Sequence, residues 1–179
     1  LGDNEMSESQ VMEFSNQFSS EEPNYNDEFT NTSQLPSSVD LSTSAYFPDI
    51  GDQGSIGSCT AWATTYYQFT YEANKLNNII TTNGNTYSPS WTYNFTNCGV
   101  DKGSYIDNAY NVLKRQGALT LSEMPYNKNA YSFAWSTDTE AMTDALKTRV
   151  SVVDRITIPS TGTCITSNND SDLIAAKAL

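Results

Sequence analysis

The stretch Asp52-Gln53-Gly54-Ser55-Ile56-Gly57-Ser58-Cys59-Thr60-Ala61-Trp62-Ala63 constrains this chain more than any other, because a loop there must turn straight into a helix. Gly54 and Gly57 supply the backbone freedom that a tight turn needs. From Trp62 the apolar residues fall at Trp62, Tyr66, Phe69, Ala73 and Leu76, and spacings of 4, 3, 4 and 3 mark one face of a helix. The pattern predicts a helix of about 15 residues with Cys59 at its start. Unpaired backbone N–H groups and the positive end of the helix dipole favour an anion at such a place, and it is the thiolate form of cysteine that acts as a nucleophile. Gln53, six residues upstream, offers a side-chain amide where the loop can fold back towards the sulfur. Nucleophile, oxyanion donor and helix N-terminus in one short stretch are the parts of acyl-transfer chemistry. Read alone, a cysteine such as Cys59 is more often a buried, inert thiol, since free cysteine is among the most buried residue types.

The run Gln53-Gly54-Ser55-Ile56-Gly57-Ser58-Cys59 resembles the papain-like cysteine peptidases, in particular their bacterial branch. The resemblance implies that Cys59 is the nucleophile. It also implies that Gln53 and the backbone N–H of Cys59 form the oxyanion hole, and that Gly57 and Ser58 belong to the substrate-binding wall. Two positions depart from the family pattern: Ile56 stands where a disulfide cysteine is often found, and Thr60 where an aromatic residue usually follows the nucleophile. The resemblance continues through Leu35-Pro36-Ser37-Ser38-Val39-Asp40, Tyr87-Ser88-Pro89-Ser90, Gly103-Ser104-Tyr105-Ile106 and Met124-Pro125-Tyr126, in order, over residues 35–179. By the same resemblance Gly103 and Ser104 form an open backbone edge that hydrogen-bonds an extended peptide, and Tyr105 and Ile106 line a side-chain pocket. Taken on their own residues, Gly103 and Ser104 are equally a turn and a helix N-cap.

Charge is distributed unevenly. Of the 179 residues, the first 74 hold twelve acids and no Lys or Arg, whereas from Lys75 onward each sign appears nine times. The net charge of −12 therefore belongs to the N-terminal part, and the absence of a basic patch argues against a nucleic-acid partner. No apolar run approaches the ~18 residues a transmembrane helix needs, which argues against a membrane partner. Histidine is absent altogether. A papain-like site needs an imidazole to pair with the thiolate and to protonate the leaving amine. In that family the His and Asn lie about 130–150 residues beyond the cysteine, which from Cys59 falls past Leu179.

Taken in order, residues 1–34 read as an acidic tail or the remnant of a pro-segment, with eight acids and no base. Residues 35–149 read as the helical left domain of a papain-like fold, and 150–179 as the start of its β-rich right domain. A turn is expected at Asn83-Gly84-Asn85. A second helix begins with Ser88 as N-cap and Pro89 at the first helical position, placing Trp91, Phe95 and Cys98 on one face and making Cys98 a buried thiol. A third starts at Ser104 with Asp107 as a capping-box variant. It carries Ile106, Ala109, Tyr110 and Leu113 on its apolar face and Gly117 at its C-terminus. The expected core is Trp62, Phe69, Trp91, Phe95, Tyr110 and Leu113. A short helix follows around Glu140–Lys147, then a β-branched strand from Val150 to Ile158, and a last helical segment at Asp172–Leu179. Cys98 and Cys164 remain as a possible bridge.

The fold class expected is therefore α+β, a papain-like peptidase fold consisting mainly of the helical left domain. The resemblance implies a cysteine endopeptidase acting on a peptide or protein substrate, with no cofactor and no metal. Its second partner would be a C-terminal part of the same protein carrying His and Asn, so that the 179-residue chain alone is inactive. The alternative is a non-catalytic pseudo-peptidase or peptide-binding module. Acidity, an Asn/Thr/Tyr-rich surface and the family resemblance point to a secreted or extracellular location. The sequons at Asn31, Asn94 and Asn169 add little in a chain so rich in Asn, Ser and Thr.

Overall fold

The apolar spacing from Trp62 builds one continuous helix, α1, through three stretches: Cys59–Ala61, Trp62–Phe69 and Thr70–Leu76. The middle stretch is π-helical, with the Thr70 N–H reaching back to the Thr65 carbonyl. Aromatic and β-branched residues are poor α-helix formers, and threonine hydroxyls compete for backbone carbonyls. Here Thr64 Oγ1 donates to the Thr60 carbonyl at 2.9 Å and Thr70 Oγ1 to that of Thr65 at 3.4 Å. Trp62, Tyr66 and Phe69 are buried as the spacing predicts, but Leu76 is 86% exposed. It is the last residue of α1 and projects past the core.

The computed structural model describes residues 38–128 and 138–151. The acidic segment 1–34, the beginning of the Leu35-Pro36-Ser37 motif, most of the strand expected from Val150 to Ile158, the helix expected at Asp172–Leu179, and Cys164 lie outside the described residues. After a 3-10 turn at Leu41–Thr43 and α1 come α2 (Pro89–Thr96), α3 (Ile106–Gln116) and α4 (Thr139–Lys147). Helix α1 packs against α2 and α3, and α3 against α4. Among the described residues the extended chain pairs at one antiparallel bridge, Tyr87 with Thr120.

The main core joins all four helices: Phe69 from α1, Trp91 from α2, Val112 and Leu113 from α3, and Ala145 from α4, closed by Ala118 and Leu119. Trp91 is 1% exposed and its indole N–H donates to the Gly117 carbonyl at 2.8 Å. Burying an aromatic side chain this completely contributes about 1.5–3 kcal/mol. Phe95 and Tyr110 pack on this cluster from its edge. Trp62 instead stacks in an aromatic group of its own, 4.4 Å from Tyr66 and 5.0 Å from Tyr126 between ring centres.

Three local expectations change. Ser88 is the N-cap of α2, but its hydroxyl does not cap and is buried without a partner; its N–H is committed instead to the Leu119 carbonyl at 2.8 Å. Cys98 is exposed, not buried, because α2 ends at Thr96 and the chain turns away at Cys98 with φ of +55°. The third helix starts at Ile106 with Tyr105 as N-cap, one residue later than the Ser104 cap of the capping-box reading. Ile106, at the first helical position, is 43% exposed, and Asp107 is buried.

Candidate active site

The loop before α1 is built around one peptide group. The Ile56 carbonyl accepts hydrogen bonds from Gln53 Nε2 at 2.5 Å and from the Ser58 N–H at 2.8 Å. The N–H on the other side of the same peptide, that of Gly57, donates to Asp101 Oδ1 at 2.8 Å. Below the loop lies a small apolar cluster of Ile56, Ala61 and Tyr93, with Tyr126 packed against it. Tyr126 donates its hydroxyl hydrogen to the Gln53 carbonyl at 2.8 Å and lies 2.7 Å from Ser58 Oγ. Having spent its only hydrogen on Gln53, Tyr126 accepts from Ser58. The Ser58 side chain is thereby turned into the protein, fully buried, and leaves the N-terminus of α1 without a side-chain cap.

Cys59 occupies the first position of α1 and is partly exposed. The sequence reading placed it there, at the positive end of the longest helix among the described residues. Gln53 holds one amide hydrogen on Ile56; an amide nitrogen carries two, so the second is uncommitted by that bond.

The Gly103–Ser104 edge is drawn against this loop. Thr60 Oγ1 donates to the Ser104 carbonyl at 3.1 Å. A β-carbon at Gly57 would meet the Gly103 nitrogen and Asp101 Oδ1 at 3.1 Å each and the Tyr93 hydroxyl at 3.3 Å, so a side chain there would press these three groups outward by a few tenths of an ångström. Gly103 has φ of +86°, a left-handed conformation that favours glycine. Gly103 and Ser104 are buried, Tyr105 is half-buried and Ile106 exposed. The Ser104 hydroxyl is buried without a partner and caps nothing, so the reading of Ser104 as a plain helix N-cap does not describe the fold.

Three residues of the site were not singled out from the sequence. Asp101 accepts from Gly57 and, at 2.5 Å, from the Tyr93 hydroxyl. Burial, and next the hydrogen bond to Asp101, push the Tyr93 phenol well above the ordinary tyrosine range. Tyr126 enters the sequence reading only within the motif Met124-Pro125-Tyr126. Asp101 had no local signal beyond its place between Gly99 and Gly103, since its partner Gly57 lies 44 residues away. At the loop's outer edge Lys128 and Asp52 form an exposed ion pair at 2.6 Å, and the Lys128 ammonium holds the Asp52 carboxyl below its usual range. An open groove of about 520 Å³ beside this pair is lined by Trp62, Tyr66, Pro125 and Tyr126, but by neither Cys59 nor the Gly103 edge.

Among the described residues no group of three or more His, Cys, Asp or Glu side chains lies together. None of the described helices is long and apolar enough to cross a membrane.

No family model matches the chain. A curated relative, a cathepsin L-like proteinase of Fasciola hepatica, is 31% identical over 97 residues, which are 54% of this chain and 29% of the relative. The chain thus spans less than a third of that relative's length. The solved structure of xylellain, a cysteine protease from Xylella fastidiosa, superposes with a TM-score of 0.51 at 23% identity, covering 66% of this chain and 48% of that one. The chain is, over the part these comparisons cover, related to the papain-like cysteine peptidases, and its described residues carry the helical part of their fold.

Proposed function

We propose that this chain is the nucleophile-bearing N-terminal part of a papain-like cysteine peptidase, which hydrolyses peptide bonds through a thioester on Cys59. One observation carries the reading: a partly exposed cysteine opens the central helix while the Gly103–Ser104 edge is held against its loop, by the Thr60–Ser104 bond and by the close approach at Gly57. In this reading the Cys59 sulfur attacks the scissile carbonyl, and the oxyanion that forms is met by the backbone N–H of Cys59 and the second amide hydrogen of Gln53. Gly103 and Ser104 are buried and the Ser104 carbonyl is held by Thr60, so a peptide backbone pairs with this edge only where it displaces that contact, while the more exposed Tyr105 and Ile106 face its side chain. Gly57 and Ser58 shape the wall beside the sulfur, and they do so through the backbone, since Ser58's hydroxyl is committed to Tyr126.

The chain has no histidine. Protonating the leaving amine and activating the water that cleaves the thioester therefore fall to a histidine, oriented by an asparagine, outside these 179 residues. The acidic composition and the family relationship support a secreted or extracellular protein.

The test uses the exposed Cys98 as an internal reference. In the 179-residue chain, iodoacetamide followed by peptide mapping should label Cys59 faster than Cys98 although Cys98 is the more exposed, and no peptide should be hydrolysed. A longer polypeptide that includes a downstream histidine should cleave peptides, and Cys59→Ala in it should abolish cleavage. Hydrolysis that survives Cys59→Ala would sink the assignment. A naturally complete protein with no such histidine would instead favour a peptide-binding module.

A further inference from the structure

Two groups, one from the loop and one from α2, meet at a single carboxylate oxygen. Asp101 Oδ1 accepts the Gly57 N–H at 2.8 Å and the Tyr93 hydroxyl at 2.5 Å. Tyr93 belongs to α2 and is 2% exposed, while Asp101 itself stands two residues before Gly103. The carboxylate therefore ties together α2, the loop before α1 and the segment that carries the Gly103–Ser104 edge. No disulfide does this work: position 56 is isoleucine, and Cys59 and Cys98 are both free.

The consequence follows from the geometry of one peptide bond. A peptide group is planar, so fixing the direction of its N–H fixes the direction of its carbonyl. The N–H of the Ile56–Gly57 peptide points at Asp101, and its carbonyl receives the Gln53 amide at 2.5 Å. Rotating that peptide would break the Asp101 bond and move the acceptor away from Gln53. Charge assistance makes a hydrogen bond to a carboxylate roughly twice as strong as one between neutral groups, so the tie is a firm one. Tyr93, by donating to the same oxygen, holds the carboxylate in place.

We propose that Asp101 is a positioning residue for the peptidase reaction, orienting the Gln53 amide through the Ile56–Gly57 peptide. The proposal rests on the peptidase reading given above. Asp101 does not itself touch the reacting atoms; its effect is on where the oxyanion donor stands before the reaction begins.

The test is steady-state kinetics on the longer, cleaving polypeptide, with each variant shown by thermal unfolding to be folded at the assay temperature. Asp101→Ala should lower kcat about 10–100-fold, the scale of a misplaced catalytic donor, with KM changed less than about threefold. Asp101→Asn keeps an acceptor of the same shape and should recover most of the loss. If Asp101→Ala does not fold, the charge-only variant Asp101→Asn takes its place, with a smaller fall in kcat. In a Gln53→Ala background either substitution should cost little more than Gln53→Ala alone, because both act on one donor. Unchanged kcat, a loss confined to KM, or full additivity with Gln53→Ala would each overturn the proposal. A purely structural role would lower the unfolding temperature and leave kcat of the folded protein intact. Hydrolysis that survives Cys59→Ala is a separate outcome, and it would overturn the peptidase reading itself.

Discussion

An Ala145 carbonyl oxygen lies 1.8 Å from where a β-carbon at position 117 would sit, and Gly117 has φ of +68°. Both the left-handed backbone and the contact exclude a side chain, and the contact is with backbone, which cannot swing aside. Gly117→Ala should therefore cost about 2–4 kcal/mol, combining left-handed strain with overpacking, read as a lower urea midpoint. An unchanged midpoint would mean α4 is not held against the end of α3. Trp62 is the complementary case, a large side chain whose removal leaves space. It is 7% exposed and boxed in by Tyr66, Tyr67 and Tyr126, so Trp62→Ala should cost about 3–5 kcal/mol. A loss below about 1 kcal/mol in the same titration would show that the aromatic group does not hold the loop. Gly117 at a helix C-terminus, Trp62 on its helix face and Cys59 at a helix start were legible from the sequence because those placements depend on neighbours within a turn or two, whereas the contacts with Ala145 and Tyr126 do not. Asp101 was not legible, because its role exists only once residues 44 apart are brought together.

Helix α1 shows what periodicity captures and what it misses. A spacing of 3.6 residues found the face of Trp62, Tyr66 and Phe69, yet the stretch Trp62–Phe69 is π-helical, a geometry the template does not contain. For α3 the apolar stripe was right at Ala109 and Leu113, but Ile106 is exposed at the first helical position and Asp107, expected as a capping residue, is buried. Helix ends are set by capping and by tertiary contacts: the Ser104 carbonyl, drawn to Thr60, is one contact the local pattern does not contain. The packing of α1 on α2 passes through a buried hydroxyl pair, Thr65 Oγ1 and Thr92 Oγ1 at 2.6 Å, both residues fully buried. Replacing one threonine by valine strands the other hydroxyl, whereas replacing both leaves two apolar side chains of similar shape in contact. Thr65→Val and Thr92→Val should each cost about 1–3 kcal/mol, and the double variant less than the sum by at least 1 kcal/mol. Simple additivity in denaturant unfolding would mean the two hydroxyls are not partners.

For the whole molecule, the missing histidine and the buried tyrosines together define a pH profile. Histidine is the side chain whose ordinary pKa lies between pH 5 and 8, and the chain has none. Burial raises the phenol pKa of Tyr66, Tyr87, Tyr93 and Tyr110, with the Asp101 hydrogen bond adding to the rise at Tyr93. A hydrogen bond to Tyr71 raises Lys75 in the same direction, and one to Asp144 does so for Lys147. A group whose folded pKa exceeds its unfolded value binds more protons folded than unfolded at any pH between the two, so stability there falls as pH rises. Below the unfolded tyrosine value of about 10 the contribution is fully present. The urea midpoint should therefore be level from about pH 6 to 9 and decline above about pH 10. Tyr93→Phe removes one titrating phenol and the bond to Asp101 together. Its midpoint should start lower at pH 7 and fall less steeply in alkali, so that the two curves converge. A midpoint that holds level past pH 11, or a Tyr93→Phe curve parallel to the parent throughout, would show that the Tyr93 phenol is not buried against Asp101 in the folded protein.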